Sequence, residues 1–296
     1  ITKEELLTQM SEDIDVLAEA LEMTREETIA KLKENYDGYH FSPASPDVFN
    51  PYSLLNSFDD KNFGAYWFSS GTPTYLINML RKFKVLPAKI GRSLARSSAF
   101  DAPTENLKTI TPLLYQSGYI TIKGYDKMSQ LFTLDLPNKE IKVGLFESLL
   151  PYYLEGMYAE EGDVAIAQMS VLIRQGDMDG ALHLLQEFLG TVPYCNNTNY
   201  EGHYQQVLFI IFTLLTHFVV DVEVHTPNGR VDVVMETEDT LYLIELKLNK
   251  SAQAAMQQIN LKQYDQRFAR CGKPIVKVGV NFDAKKGNIE DWTIEP

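Results

Sequence analysis

Three residues in the last third of the chain have the side-chain types and spacing for metal-dependent cleavage of a phosphodiester bond: Asp232, Glu245 and Lys247. They lie in two predicted β-strands, residues 230–235 and 241–248, which a short polar turn connects. Because side chains alternate between the two faces of a strand, Glu245 and Lys247 share one face of an otherwise apolar strand. Burying charge there costs several kcal/mol unless partners or a metal ion compensate. The pattern therefore favours a site with a chemical role.

Hydrolysis of a phosphodiester needs a nucleophilic water, charge neutralisation on the scissile phosphate and help for the leaving oxygen. One or two Mg²⁺ or Mn²⁺ ions supply most of this if carboxylates hold them and leave coordination positions open. The natural ligands are Asp232 and Glu245, with the backbone carbonyl of Leu246 as a third. Lys247 is placed to steady the attacking hydroxide or the phosphate. For Glu245 and Lys247 taken alone, a surface ion pair on an exposed edge strand is the alternative.

The elements around these residues predict an α/β sandwich built round a mixed sheet. A stretch that contains Gly190, Pro193 and several Asn, residues 190–199, is the best domain boundary. After it come a helix, three strands, a second helix and two more strands. In chain order these predicted elements are residues 200–217, 219–224, 230–235, 241–248, 252–270, 274–280 and 291–294.

The first part of the chain is predicted to be mostly helical. Residues 4–21 show amphipathic helical spacing, and the segment from Thr24 to Glu27 is a capping box that opens a helix. Pro137-Asn138 caps a long helix over residues 139–158. Residues 119–123 and 131–134 predict a β-hairpin, and helices followed by a hairpin predict a winged-helix-like lid. The other predicted helices are residues 50–58, 72–83, 164–174 and 178–189.

Composition limits the possible functions. The 296 residues, 45% of them hydrophobic, suffice for two domains with their own cores. The net charge of -13 argues against a broad electrostatic grip on nucleic acid, so any contact with a polyanion is expected to be local or metal-mediated. The best candidate for a membrane span, residues 207–220, is too short and contains His217, so no membrane association is expected. Two cysteines suit a reducing cytoplasm, and a start at Ile1 predicts a piece of a longer protein.

Asp232 and the Glu245-x-Lys247 pattern, followed by Gln258 on the next predicted helix, resemble the PD-(D/E)XK nuclease superfamily. More narrowly, this part resembles the nuclease-like domain that follows an AAA-ATPase-like domain in many bacterial proteins, notably of the Bacteroidetes. The segments that carry the narrower resemblance are Gly229-Arg230-Val231-Asp232, Glu245-Leu246-Lys247, Ala255-Met256-Gln257-Gln258-Ile259, Tyr264, Val278-Gly279-Val280-Asn281-Phe282-Asp283 and Trp292.

The first part resembles the C-terminal portion of that AAA-ATPase-like domain. The segments concerned are Tyr36-Asp37-Gly38-Tyr39, Asn50-Pro51-Tyr52-Ser53, Tyr66-Trp67, Gly71-Thr72-Pro73-Thr74, Leu113-Leu114-Tyr115-Gln116-Ser117-Gly118-Tyr119 and Leu136-Pro137-Asn138-Lys139-Glu140. The chain has no Gly-x-x-x-x-Gly-Lys-Ser/Thr loop, so no ATP site is expected in it and the nucleotide-binding core is expected upstream. The resemblances imply an ATPase-like part over residues 1–158, a helical connector over 159–195 and a nuclease-like domain over 196–296.

The resemblance implies an α+β protein in which a restriction-endonuclease-like sandwich follows the helical lid. It implies a Mg²⁺ or Mn²⁺ site in which Asp232 and Glu245 bind metal, Lys247 acts on water or phosphate, and Gln258 orients substrate or metal-bound water. Glu201 matches a helix-borne carboxylate that many members place near the metal, although the helix dipole also explains an acidic residue there. The expected substrate is nucleic acid, with DNA ahead of RNA by analogy.

A different class of function stays open. Domains of this kind can lose catalysis and keep the fold as a scaffold for protein interaction or regulation, and the acidic first part suits a docking surface. His203 and His225 lack metal-ligand spacing and receive no role. The aromatic residues of the first part are expected to form its core, because stacking platforms for bases usually come with basic residues.

Overall fold

The chain divides into two compact units, residues 1–148 and 149–296, in a computed structural model. The structure describes residues 1–69, 74–91, 93–100, 109–154, 159–191, 200–215, 221–225, 231–261 and 272–296. Residues 155–158 and 192–199 lie outside this part, so the domain boundaries expected at 158 and 195 stay predictions.

The first unit is mainly helical. Thr2 and Thr24 each accept a hydrogen bond from a backbone N–H of the following turn, and a Glu three residues on closes the capping box in both cases. The helices that begin in this unit are α1 (Lys3–Gln9), α2 (Ser11–Ala20), α3 (Arg25–Tyr36), α4 (Pro51–Asp59), α5 (Tyr66–Ser69), α6 (Thr74–Lys82), α7 (Thr111–Gln116) and α8 (Lys139–Tyr153). Short 3₁₀ turns occupy Pro87–Lys89 and Ser97–Ala99.

The amphipathic segment of residues 4–21 is helical but folds as two helices. The chain leaves helical geometry at Met10, where φ is -118° and ψ is 27°, and α2 starts anew at Ser11. Glu12 and Asp13 then lie in the first turn of α2, where negative charge is favoured by the helix dipole. The core of this unit includes residues from both sides of the break: Leu6, Ile14, Leu17, Leu32, Tyr36, Phe49 and Leu54.

A small antiparallel sheet completes the first unit. The predicted hairpin is confirmed as β2 (Thr121–Asp126) paired with β3 (Leu131–Asp135). A third strand, β1 (Ser93–Ala95), pairs with the other side of β3 and was not predicted. Asn138 caps α8 as predicted, since its side-chain oxygen accepts from the backbone N–H of Ile141.

The second unit holds a five-stranded sheet in the order β4-β5-β6-β7-β8. Strands β6 and β7 are parallel, and the other three pairs are antiparallel. The strands are β4 (Asp221–His225), β5 (Val231–Glu236), β6 (Leu241–Leu248), β7 (Ile275–Asp283) and β8 (Asn288–Glu295). The helices are α9 (Ala159–Arg174), α10 (Met178–Thr191), α11 (Tyr200–Leu214) and α12 (Ala252–Leu261). The α+β class and the mixed sheet are confirmed.

Strand β6 lies at the centre of the sheet and is buried on both faces. On one face Leu241 and Leu243 pack against Met256 and Ile259 of α12. On the other face the Tyr242 hydroxyl is 3.5 Å from a backbone carbonyl oxygen of α9. Helices on both faces confirm the sandwich, and they explain why β6 reads as an apolar strand throughout. No described helix combines the length and apolar character needed to cross a bilayer.

Candidate active site

Glu245 and Lys247 form a buried ion pair on β6. They are two residues apart and therefore on the same face of the strand, as predicted. The Lys247 ammonium donates to Oε1 of Glu245. Glu245 has no solvent exposure and Lys247 has 5%. The surface-pair alternative is therefore wrong for these two residues.

Asp232 lies directly opposite Glu245 in the antiparallel pairing of β5 with β6. Directly opposed residues in such a pair have Cα atoms about 4.5–5.5 Å apart. The backbone register thus brings two of the predicted metal ligands to adjacent positions on neighbouring strands. The Asp232 side chain lies outside the described part of the structure.

The register follows from the connection between the two strands. Glu236 and Leu241 are the closing pair of the hairpin. Within the turn, the backbone N–H of Thr237 donates to the Thr240 carbonyl at 2.9 Å, and the Thr237 hydroxyl oxygen accepts from the Thr240 N–H at 3.0 Å. Because side-chain direction has a period of two, a slip by one residue would place Glu245 and Asp232 on opposite faces.

Gln258 reaches the ion pair from α12. Its side-chain oxygen accepts a hydrogen bond from the Lys247 ammonium, so Lys247 is shared between a carboxylate and an amide. The side-chain nitrogen of Gln258 is buried and has no partner among the described residues. An unpaired buried donor costs about 1–3 kcal/mol, so this position suits an acceptor such as a water or phosphate oxygen.

Gly279 allows α12 to lie this close to the sheet. It is the register partner of Glu245 on β7, and a Cβ there would be 2.6 Å from the Ala252 carbonyl oxygen and 2.9 Å from the Met256 nitrogen. These contacts are with backbone atoms, which cannot move aside without shifting the helix. A glycine is therefore needed where the helix that carries Gln258 crosses β7.

Asn281 is a polar neighbour of Lys247 for which the sequence predicted no role. It is the register partner of Lys247 on β7 and only 2% exposed. Its side-chain oxygen accepts from the Lys250 backbone N–H at 2.9 Å, and its side-chain nitrogen donates to Glu290 at 2.9 Å. The sequence feature that could have indicated it is a single amide among the mainly apolar residues 275–282. Its contacts hold the chain where β6 ends, just after Lys247.

The structure describes the remaining predicted ligands only in part. Leu246 is paired with Val231 on one side and Val280 on the other, so its backbone carbonyl takes part in a sheet and would offer a metal its second lone pair. Glu201 lies in the first turn of α11, but its side chain lies outside the described residues. His203 is on the same helix with its side chain likewise undescribed, and His225 ends β4.

The donor chemistry fits a hard divalent cation. The candidate ligands are carboxylate and carbonyl oxygens, which Mg²⁺ and Mn²⁺ prefer over nitrogen or sulfur. Among the described side chains there is no group of three or more His, Cys, Asp or Glu that could hold a metal. Asp232 and Glu201 are not among those side chains, so the ligand set stays a prediction.

Part of the second unit matches a known protein family. Residues 199–292 match the model of the PD-(D/E)XK nuclease superfamily. This confirms the resemblance for that part of the chain and supports a nuclease-like fold of the restriction-endonuclease type. The site described above lies entirely within the matched residues. Members of this superfamily generally use divalent metal ions.

Most of the chain also matches a relative. The chain is 30% identical over 276 residues to an "Uncharacterized protein in vnfD 5'region" from Azotobacter chroococcum mcd 1. The alignment covers 90% of this chain and 52% of the relative, so the chain spans about half the length of the protein it matches. No solved structure matches. The resemblance of the first part to an AAA-ATPase-like domain stays a prediction.

Proposed function

We propose that the second unit is a metal-dependent phosphodiesterase, an endonuclease-like domain whose first candidate substrate is DNA. One observation carries the proposal: Asp232 is opposite Glu245 in the sheet, and Lys247 is hydrogen-bonded to Glu245 on the same face. Two adjacent carboxylates can hold a divalent cation, and an ammonium beside them can neutralise charge on a phosphate. The match of residues 199–292 to a nuclease superfamily supports the same chemistry.

Each residue has a distinct role in this proposal. Asp232 and Glu245 hold Mg²⁺ or Mn²⁺, which supplies charge neutralisation and a more acidic bound water. Lys247 gives up its hydrogen bond to Glu245 and acts on the attacking water or the phosphate, while its ammonium keeps the hydrogen bond to the Gln258 oxygen. The unpaired Gln258 nitrogen donates to a substrate or water oxygen. Glu201 from α11 adds a further carboxylate ligand.

A cleavage assay tests the proposal. The full chain is incubated with Mg²⁺ or Mn²⁺ and with supercoiled plasmid, linear duplex DNA, single-stranded DNA or RNA. We expect cleavage of at least one substrate, abolished by chelation and by Glu245→Gln. Asp239→Asn is a matched control, because Asp239 is exposed in the turn between the same two strands. Equal cleavage by the chain and by Glu245→Gln would refute the assignment.

The first unit, in this proposal, is part of an ATPase-like regulatory module. Its motifs resemble the C-terminal portion of such a domain, and the nucleotide-binding core would lie elsewhere in a longer protein. Nucleotide addition to this chain alone is then expected to change neither metal affinity nor cleavage.

A second candidate is a catalytically inactive scaffold for protein interaction. The observation that favours it is that Glu245 and Lys247 are buried and hydrogen-bonded to each other, as the two residues of a structural ion pair are. The net charge of -13 also suits a protein partner better than a polyanion. A folded chain that neither binds Mn²⁺ nor cleaves any nucleic acid would favour this second function class.

A further inference from the structure

The first unit contains a feature that the proposed nuclease chemistry does not use. A cavity of about 440 Å³ opens there, within the size range of small-molecule sites. Its wall is largely aromatic and aliphatic, with Tyr39, Phe41, Val48, Phe49 and Trp67 as the main apolar contributors. Phe41 is 67% exposed, so the wall reaches the protein surface on that side.

A buried carboxylate is hydrogen-bonded to one residue of this wall. Glu140 is only 3% exposed, and its Oε1 accepts from the Trp67 backbone N–H and the Ser53 hydroxyl, both at 2.8 Å. Its Oε2 is buried and has no hydrogen-bond partner. Neither donor is charged, and no described Lys or Arg is paired with Glu140. One oxygen of a potentially charged group is therefore left without compensation.

The carboxylate and the cavity share their supporting residues. Trp67 lines the cavity and also holds Glu140 through its backbone. Asn50 lines it as well, and its side-chain oxygen accepts from the Ser53 backbone N–H at 3.4 Å, beside the hydroxyl that binds Glu140. Burial raises the pKa of the Tyr39 phenol, and the charge of Glu140 raises that pKa further. The field of Glu140 thus reaches a side chain of the cavity wall.

We propose that this cavity binds a small organic cation, an ammonium compound with an aromatic or alkyl body, and that Glu140 supplies the compensating negative charge. The rings of Tyr39 and Trp67 favour a cation through their negative faces. The Trp67 ring is held by an edge contact with Tyr119 at a centroid distance of 5.1 Å. The low dielectric around Glu140 strengthens its attraction for a cation over that of an exposed carboxylate.

Three probes with a common phenyl ring and similar size test the proposal on the full chain: phenethylammonium is a cation, phenylethanol is neutral and phenylacetate is an anion. Isothermal titration is expected to show the cation binding about tenfold or more tightly than the neutral alcohol, a difference of about 1.4 kcal/mol. The anion is expected to bind most weakly. This ranking in the unmodified chain needs no variant. A cation that binds no better than the alcohol, or a folded chain that binds no probe at millimolar concentration, would overturn the proposal.

Variants then locate the charge. Glu140→Gln keeps an oxygen for Ser53 and Trp67, and it is expected to remove the preference for the cation while leaving phenylethanol affinity unchanged. Glu19→Gln is the control, because Glu19 is an exposed carboxylate on α2. Survival of the cation preference in a folded Glu140→Gln chain would exclude Glu140 as its source.

Discussion

The Lys247 ammonium donates to Glu245, two residues earlier on the central strand of the larger sheet, and both side chains are buried. In this arrangement the lysine neutralises the carboxylate at the place where the proposed metal would bind. In the proposed function the same pair is closed without metal and opens when metal binds. A metal ion must compete with Lys247 for Glu245, and Gln258 retains the lysine when the pair opens.

The first prediction concerns metal affinity. Asp232→Asn and Glu245→Gln are each expected to weaken Mn²⁺ binding at least about tenfold, since even residues that only support a metal ligand are worth about 10–100-fold. Isothermal titration of the full chain measures this directly. Asp239→Asn should bind Mn²⁺ as the unmodified chain does. Unchanged affinity in a folded Glu245→Gln chain would mean that the metal binds elsewhere.

The second prediction concerns stability. Lys247→Met leaves the Glu245 carboxylate buried without its cation, and we expect a loss of about 3–5 kcal/mol in the free energy of unfolding. Adding Glu245→Gln to Lys247→Met should recover part of that loss, because the unpaired charge is then gone. Urea unfolding of the two single variants and the double variant gives the coupling energy. Strictly additive effects would show that the two side chains do not depend on each other for stability.

The parts of the site that are local in sequence could be predicted. Period-two alternation within one strand places Glu245 beside Lys247, and a short turn makes β5 and β6 neighbours with Asp232 near Glu245. The position of Asn281 beside Lys247 depends on the parallel pairing of β6 with β7, which α12 and its flanking segments separate in the chain. Nothing in a single sequence determines that long-range register.

Elements without periodicity were also missed. Strand β1 has three residues, too few to show alternation, and it exists because β3 offers it an edge. Glu140 lies in the first turn of α8, where an acidic residue is normally solvated beside the helix dipole. Only the packing of Ser53 and Trp67 around it reveals that it is buried.

The third prediction tests the close approach of α12 to the sheet. Gly279→Ala places a Cβ within 3 Å of two backbone atoms of α12, and overpacking of this kind costs about 1–3 kcal/mol. The helix must shift, so Gln258 should also lose its contact with Lys247 and metal affinity should change. Urea unfolding and Mn²⁺ titration measure the two effects.

Gly190→Ala is the matched control in the same unit. Its added Cβ would meet only the end of the Asn288 side chain at 3.4 Å, and alanine favours the helix α10 by up to about 1 kcal/mol. Equal stability changes in the two variants would show that Gly279 is not needed for close packing.

The fourth prediction concerns pH. Burial raises the pKa of Glu140 above 4.5, and the hydrogen bonds from Trp67 and Ser53 offset this only in part. Between pH 4.5 and the raised pKa, the folded chain therefore holds a proton on Glu140 that the unfolded chain has released. Stability from this group is complete below pH 4.5 and is lost as pH rises through the raised pKa, above which Glu140 is ionised in the folded chain. The decline is limited to about 1.4 kcal/mol for each pH unit inside that window.

Glu140→Gln removes this titration while keeping the shape of the side chain. Its free energy of unfolding relative to the unmodified chain should be lowest in acid and rise through the same window, then level off above the raised pKa. Urea unfolding of both chains from acid to neutral pH measures this difference in free energy. The contributions of the other carboxyl groups are the same in both chains and cancel. A saturating concentration of phenethylammonium should flatten the difference if the cation binds beside ionised Glu140. A difference that does not vary with pH would show that Glu140 has the same pKa in the folded and unfolded chains.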